Sequence, residues 1–317
     1  MASNHFYNLP EDAVWFITGS SSGIGLALAQ LIASHPTNRL VATARNSSKL
    51  GELLTQSERV FTADLDVTSE ESIDTAVDAA LSKFGRIDVL VNNAGYALQG
   101  DSESALQPEG QAEARKVVET NFWGTARLSL HGLRIFREEN PKSGQQGGVM
   151  LNVTSLGGFA GFPGTAFYHA GKFAVEGFTE SLSKEVRPEW NIHFCVIEPG
   201  GTSTRFTGAS SMVWLARHPA YAAADSPARI IEGYITSPEM QKTWTPAERV
   251  AAAMYELVGR AKDKPIPIRL PLTEGAWQVV KNEVDTMTKE LEEVKELSLS
   301  VEIDNKNKVG QFLIDHY

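Results

Sequence analysis

The first 200 residues alternate short apolar, β-branched runs with longer stretches of helical periodicity, and few chain paths satisfy that rhythm. Candidate strands lie at 13–18, 39–44, 59–65, 87–92, 148–153 and 192–198, with candidate helices at 23–34, 69–84, 111–140 and 166–186. Strands this uniformly apolar must be covered on both faces, which crossover helices on a parallel sheet provide. The expectation is an α/β fold, a doubly wound parallel sheet in a single domain over residues 1–270.

Beyond Glu198 the texture changes. Residues 200–246 are rich in Gly, Ser, Thr and Pro and read as a long substrate-side loop. A helix over 246–260 and a proline-punctuated strand at 265–271 follow, then a helical extension over 271–317. Its apolar residues at 277, 280, 284, 287, 291 and 294 form one stripe, which predicts a peripheral helix docked on its own domain.

Composition removes several function classes. Of the net charge of −10, half sits in residues 271–317, which hold five basic and ten acidic side chains. An acidic chain without basic clusters does not suit nucleic acid or an anionic membrane. No apolar run reaches the roughly 18 residues of a membrane span, and the start of the chain lacks the pattern of a secretory signal. A cytoplasmic protein is the expectation. A single cysteine, Cys195, leaves no internal disulfide or multi-thiolate site. The seven histidines (5, 35, 131, 169, 193, 218, 316) show no clustered spacing, so no metal is expected.

Thr18-Gly19-Ser20-Ser21-Ser22-Gly23-Ile24-Gly25 follows the first strand and opens the first helix. Glycines let a ligand approach the backbone, and a helix start offers free N–H groups to a pyrophosphate. The second strand ends in Arg45 with no carboxylate. A guanidinium pairs with a ribose 2′-phosphate that an acid would repel, which favours NADP(H) over NAD(H). Arg45 also reads simply as a solvated loop residue.

Tyr168 and Lys172 are four apart and share a helical face. Ser155 lies just after a buried strand, at the carboxyl edge where such sheets bind ligands. Asn92-Asn93-Ala94-Gly95 ends the fourth strand at that edge, and Asn121 is read as opening the helix that follows. Plainer roles exist for each: a turn serine, a packed tyrosine, a capping asparagine. Ser155 lacks the flanking glycines of a hydrolase nucleophile.

Together these motifs, with Pro199-Gly200, resemble the short-chain dehydrogenase/reductase superfamily, and the YHAGKFAVEGF and IEPGG segments look most similar to fungal NADP-dependent reductases and hydroxysteroid-dehydrogenase-like members. The resemblance implies a Rossmann-type sheet of about seven strands. It implies Ser155, Tyr168, Lys172 and Asn121 as catalytic, with Asn121 positioning water behind Lys172 and Lys172 also holding the nicotinamide ribose. Cofactor contacts would come from Gly19, Ser21, Gly23, Ile24, Gly25, Thr43, Arg45, Asn93, Ala94, Gly95, Tyr168, Lys172, Pro199 and Gly200. Asp66 would meet the adenine, unless it only caps the helix ahead of Ser69. Thr202 and Thr204 are two candidates for the nicotinamide side. Gly171 departs from the family, which more often has Ser or Thr before the lysine. Family assembly as a homodimer or homotetramer would use helices near 121–139 and 166–187.

A tyrosinate at pH 7 lies roughly 4 kcal/mol uphill, and a nearby ammonium lowers that cost. Tyr168 is thus expected to exchange a proton with a ketone or alcohol, with Ser155 holding the substrate oxygen. Phe206, Met212, Trp214 and Tyr221 suggest a bulky hydrophobic substrate, steroid, terpenoid or polyketide-like. The expected activity is NADP(H)-dependent ketone–alcohol interconversion, as a reductase in secondary metabolism. The alternatives are an epimerase or isomerase that returns the hydride, and a non-catalytic dinucleotide-binding regulator.

Overall fold

A computed structural model describes residues 6–54, 57–204, 211–301 and 308–316. Its strands are β1 (Val14–Ile17), β2 (Arg39–Ala44), β3 (Val60–Asp64), β4 (Val89–Asn92), β5 (Ala97–Gln99) and β6 (Gly148–Val153). They continue with β7 (Ile192–Pro199), β8 (Thr202–Ser203), β9 (Met212–Trp214), β10 (Thr245–Pro246) and β11 (Arg269–Leu272). The helices are α1 (Gly23–Ser34), α2 (Leu50–Leu53), α3 (Glu70–Phe84), α4 (Pro108–Val118), α5 (Gly124–Arg134) and α6 (Ala166–Glu185). After these come α7 (Pro227–Thr236), α8 (Pro238–Gln241), α9 (Ala247–Gly259), α10 (Glu274–Glu293), α11 (Lys295–Leu299) and α12 (Lys308–His316).

Seven strands form one sheet in the order β11-β7-β6-β4-β1-β2-β3, with every neighbouring pair parallel. Strand alternation decides which side chain meets which layer. Trp15 and Ile17 of β1 join Leu28 and Ile32 of α1 and Val250 and Met254 of α9 on one face. Val14 and Phe16 join Ile73 of α3, Leu128 of α5 and Leu182 of α6 on the other. The chain order reverses between β1 and β4, so loops leaving those two strands part there and open a crevice at the carboxyl edge.

Helix boundaries follow local chemistry. The Ser69 hydroxyl accepts from the Ser72 N–H at the start of α3, Glu70 and Glu71 fill its first turn, and Gly85 ends it at φ +76°. The expected helix over 111–140 is α4 and α5 joined through a π-helical turn at Glu119–Trp123, with a second such turn at Ile135–Glu139. Asn121 therefore does not open a helix. It sits mid-helix, where the wider turn frees side chain and backbone from regular packing.

The stretch 200–246 is more ordered than a loop. Met212–Trp214 pairs in parallel with Ala97–Gln99, and Thr202–Ser203 with Thr245–Pro246. Two helices, α7 and α8, begin at Ser226-Pro227 and Ser237-Pro238. Serine before proline is a capping residue followed by a favoured first helical residue, a local signal for both helix starts.

The C-terminal stripe does not dock as expected. Only Ala276 of α10 is buried, whereas Trp277, Met287 and Leu291 are 57%, 55% and 66% exposed. The helix leaves the edge strand β11 where α6 and α9 already cover the two faces of the sheet, so no apolar face remains for it.

Candidate active site

The glycine turn between β1 and α1 is shaped by its neighbours at the crevice. Gly19 and Gly23 hold φ of +68° and +58°, which side-chain-bearing residues rarely adopt. A Cβ on Gly25 would stand 2.4 Å from the Asn93 amide nitrogen. The backbone N–H groups of Asn93 and Ala94 both donate to Oγ1 of Thr18 at 2.9 Å, and the Asn93 side chain donates to the Thr18 carbonyl at 2.9 Å. The Ser20 N–H donates to the Thr43 carbonyl, and the Thr43 hydroxyl to the Ile17 carbonyl at 3.1 Å, so Thr43 holds the turn from beneath. Ser22, at the start of α1, makes no side-chain cap, which leaves the first N–H groups facing the crevice. Ser21 is exposed beside them, with Ile24 half-buried.

Arg45 is exposed just beyond β2. Its charge reaches Tyr96, whose phenol burial nonetheless pushes up to about 12, with Glu113 adding to the rise. Asp66 Oδ1 accepts from the N–H and hydroxyl of Thr68 at 2.9 and 2.7 Å, so one carboxylate oxygen builds the turn ahead of Ser69. On the opposite side, Thr204 stands over Gly23, while the Thr202 hydroxyl donates to the Gly200 carbonyl at 3.0 Å. A cleft of about 260 Å³ lies between Gly23, Leu26, Ala27 and the Ser203–Thr204 segment. Gly200, after Pro199, donates its N–H to the Leu272 carbonyl, and a Cβ there would fall 2.3 Å from Thr273 Oγ1. Thr273 itself is held at φ +98°.

The candidate reaction centre brings Ser155, Tyr168, Lys172 and Asn121 together. Ser155 caps a 3₁₀ turn at Leu156–Gly158, its hydroxyl accepting from the Gly157 N–H at 3.1 Å, and it is hydrogen-bonded to the Tyr168 phenol. Tyr168, on the first turn of α6, is 7% exposed, and burial pushes its pKa up to about 12 against the pull of Ser155. Lys172 donates to the Val153 carbonyl at 2.9 Å with its Nζ 5.9 Å from the Tyr168 ring centre. Burial brings the ammonium down to about 8, opposed by Glu176. Burial, opposed only by the Ser155 hydrogen bond, therefore leaves Tyr168 as a protonated acid in the protein alone.

Asn121 is fully buried, its amide bonded both ways to the Tyr96 backbone at 3.0 and 2.9 Å. Gly95 separates it from the crevice and also borders Lys172.

His169 was not singled out by sequence reasoning. Its Nδ1–H donates to the Gly157 carbonyl at 2.7 Å, and burial holds the ring neutral, so Nε2 accepts from the Thr165 hydroxyl at 2.6 Å. The ring thereby ties the Ser155 turn to the start of the Tyr168 helix.

Of the expected substrate residues, Met212 is buried in one cluster with Tyr168, Ala97, Leu98, Val117 and Leu215. Trp214 is 42% exposed. Tyr221 is turned towards Glu103 and stacks edge-on with His218 at 5.7 Å. Phe206 lies outside the described residues. Of the three that are described, Met212 alone shares a buried cluster with Tyr168. Among the described residues no group of three metal-ligating side chains occurs, and no helix is long and apolar enough to cross a membrane.

Comparison with known proteins points one way. The family model described as short chain dehydrogenase matches residues 13–212. The oxidoreductase calM of Penicillium decumbens is 41% identical, over 92% of this chain and 94% of its own length. A short-chain dehydrogenase from Streptomyces avermitilis superposes with a TM-score of 0.77 at 30% identity, covering 92% of this chain and 98% of that one. A 3-ketoacyl-(acyl-carrier-protein) reductase from Brucella melitensis, complexed with NADH, gives 0.66 at 25% identity, covering 83% and 98%.

Proposed function

The chain belongs to the short-chain dehydrogenase family and is an oxidoreductase, and on that premise we propose that it reduces a bulky hydrophobic ketone to a secondary alcohol with NADPH. The carrying observation is the hydrogen bond between Ser155 and the buried Tyr168 phenol beside Lys172, with the phenol protonated and so ready to donate. A nicotinamide dinucleotide fits the crevice. The glycine turn holds its bare Cα atoms at positive φ, and the start of α1 keeps uncapped N–H groups for a pyrophosphate. Arg45, exposed at the adjoining strand end with no carboxylate beside it in sequence, suits a 2′-phosphate.

When bound, the cofactor supplies the hydride. The chain's own part is binding and proton handling. Ser155 orients the substrate oxygen and donates to it as charge develops. Tyr168 delivers the proton to that oxygen. Lys172, one turn along α6, borders Asn121 through Gly95 and is the next group on the route by which the tyrosine regains its proton. Met212, Leu215 and Val117 around Tyr168 form an apolar wall, which favours a ketone without charge near the reacting carbon. We place the activity in secondary metabolism and the protein in the cytoplasm, and we expect a homodimer or homotetramer.

The test follows NADPH absorbance across a panel of hydrophobic ketones, using wild type and Tyr168→Phe. Turnover should fall at least about 100-fold in the variant while NADPH still binds. Equal turnover in both proteins would overturn the mechanism. Binding without consumption for every ketone would favour an isomerase or a regulator. Arg45→Asp should move the preference from NADPH towards NADH, and an unchanged preference would remove Arg45 from that role.

A further inference from the structure

Behind Lys172 lies a group of charges that the reaction as described does not use. Glu176, one helical turn along α6, is 4% exposed, and Glu198, near the end of β7, is wholly buried. Glu176 Oε1 accepts from the Thr154 hydroxyl at 2.8 Å, and Oε2 accepts from Arg269 Nε at 3.0 Å. A Cβ on Gly158 would come within 3.0 Å of Glu176 Oε1, so the carboxylate presses against the turn that carries Ser155. Glu198 has no such support. Among the described residues no hydroxyl, amide or guanidinium donor reaches either of its oxygens, and Arg269 Nε is 3.9 Å away.

Two carboxyl groups side by side in the interior, with one guanidinium between them, cannot both ionise near neutrality. Their surroundings separate the roles. Glu176, which holds two donors, is the carboxylate. Glu198, which holds none, keeps the proton and shares it with Glu176, consistent with its rise to about 8 through burial and then its neighbour's charge. The other charges facing the group are Glu180 on α6, which takes the second arm of Arg269 at 2.7 Å and is paired with Lys184, and Arg269 itself on β11. From β7, Cys195 feels both carboxyls. Lys172 completes the set, one turn before Glu176.

We propose that Glu176 and Glu198 form a proton-sharing pair that holds Lys172 in its charged form, Glu176 as a positioning residue and Glu198 as the holder of the shared proton. The proposal rests on Lys172 serving the cofactor site. The ammonium loses most of its hydration where it sits, and a single negative charge one turn away compensates. A fully ionised pair would bury a second charge that Arg269 alone must balance. The protonated partner limits the pair to one.

The test measures NADPH affinity by cofactor fluorescence from roughly pH 6 to 10 in wild type, Lys172→Met, Glu176→Gln, Glu198→Gln and the double glutamine variant, each with a melting curve to show folding. Wild-type affinity should fall as Lys172 loses its proton, and Lys172→Met should abolish that dependence. Glu176→Gln passes the charge to Glu198, a strand away, so the midpoint should move down by about one pH unit, a tenfold change in the charged fraction. Glu198→Gln leaves the carboxylate beside Lys172, so its midpoint should stay within about 0.3 unit of wild type. The double variant should fall lowest. If Lys172→Met leaves the profile unchanged, the reading of Lys172 fails and this proposal with it. If Lys172→Met acts but Glu176→Gln matches wild type, or Glu198→Gln moves the midpoint as far as Glu176→Gln, the pair has no such role.

Discussion

A methyl group on Gly95 would stand 2.8 Å from Oδ1 of Asn121 and 3.5 Å from Nζ of Lys172. Asn121 cannot yield, because its amide is bonded in both directions to the Tyr96 backbone. Gly95→Ala should therefore break one of those bonds, lower stability by about 1–2 kcal/mol, and reduce kcat/KM at least tenfold. Steady-state kinetics beside a thermal melt checks this, and a fully active, equally stable variant would contradict it.

Lys172 carries a stability cost along with the role proposed for it. Its folded pKa is depressed to about 8 by burial, so the folded state disfavours the charged form that the unfolded chain keeps up to about 10.4. Between those values the unfolded chain binds more protons, and stability rises with pH. Lys172→Met should abolish turnover yet stabilise the cofactor-free protein at pH 7, by an amount on the order of 2–3 kcal/mol that shrinks as pH climbs above 8. Denaturant titrations at pH 7 and about 10 would show it.

Gln99 is wholly buried, and both polar atoms of its amide are without partners among the described residues. An unmet donor and acceptor in the interior cost about 1–3 kcal/mol. Gln99→Leu keeps the volume and removes both, so the denaturation midpoint should rise. A fall would mean that the amide is satisfied in solution.

Asp101 and Arg229 form an ion pair with side chains 0% and 7% exposed, and Asp101 also accepts from the His218 N–H at 2.9 Å. Removing one member strands the other, typically at about 3–5 kcal/mol. Asp101→Ala should speed proteolytic cleavage within 211–246 and raise KM for the proposed ketone substrate. Replacing both with apolar residues of similar size should recover most of the loss.

Trp123, Leu130 and Phe173 are 49%, 53% and 44% exposed on the helices expected to pair subunits. Large apolar side chains left exposed on long helices suit an interface. Trp123→Glu combined with Phe173→Glu should shift the protein to a monomer in size-exclusion chromatography, whereas an unchanged elution volume would place any interface elsewhere.

The legible parts of this chain were those written at short range. Tyr168 and Lys172 declare themselves by a spacing of four, and each sheet strand by its own apolar run, to within one or two residues in most cases. The edge strand, read at 265–271, is the exception. It forms only over Arg269–Leu272, where the register with Val196–Pro199 allows pairing. Relations that packing alone creates were hidden. Glu176 and Glu198 are 22 residues apart on a helix and a strand, and nothing local in either segment announces the other. Three-residue strands such as Ala97–Gln99 are too short to show alternation. The π-helical turn at Asn121 leaves a periodicity that reads as one unbroken helix. The docking of the C-terminal stripe failed for a different reason. Its spacing describes a face correctly but says nothing about what is left to cover it.

The pairing of β5 with β9 has a consequence for anyone who would redirect this enzyme. Segments 97–104 and 211–229 are more than a hundred residues apart in the chain, yet they are stitched by a ladder, by the Asp101–Arg229 contact and by the Ser104 hydroxyl on the Ala216 carbonyl at 2.7 Å. They behave as one removable part. A transplant from a relative that exchanges either segment alone would leave a seam of mismatched polar groups. Exchanging both together would carry the Ala97–Leu98 and Met212–Leu215 side of the wall as one piece, against a Val117 that stays in place.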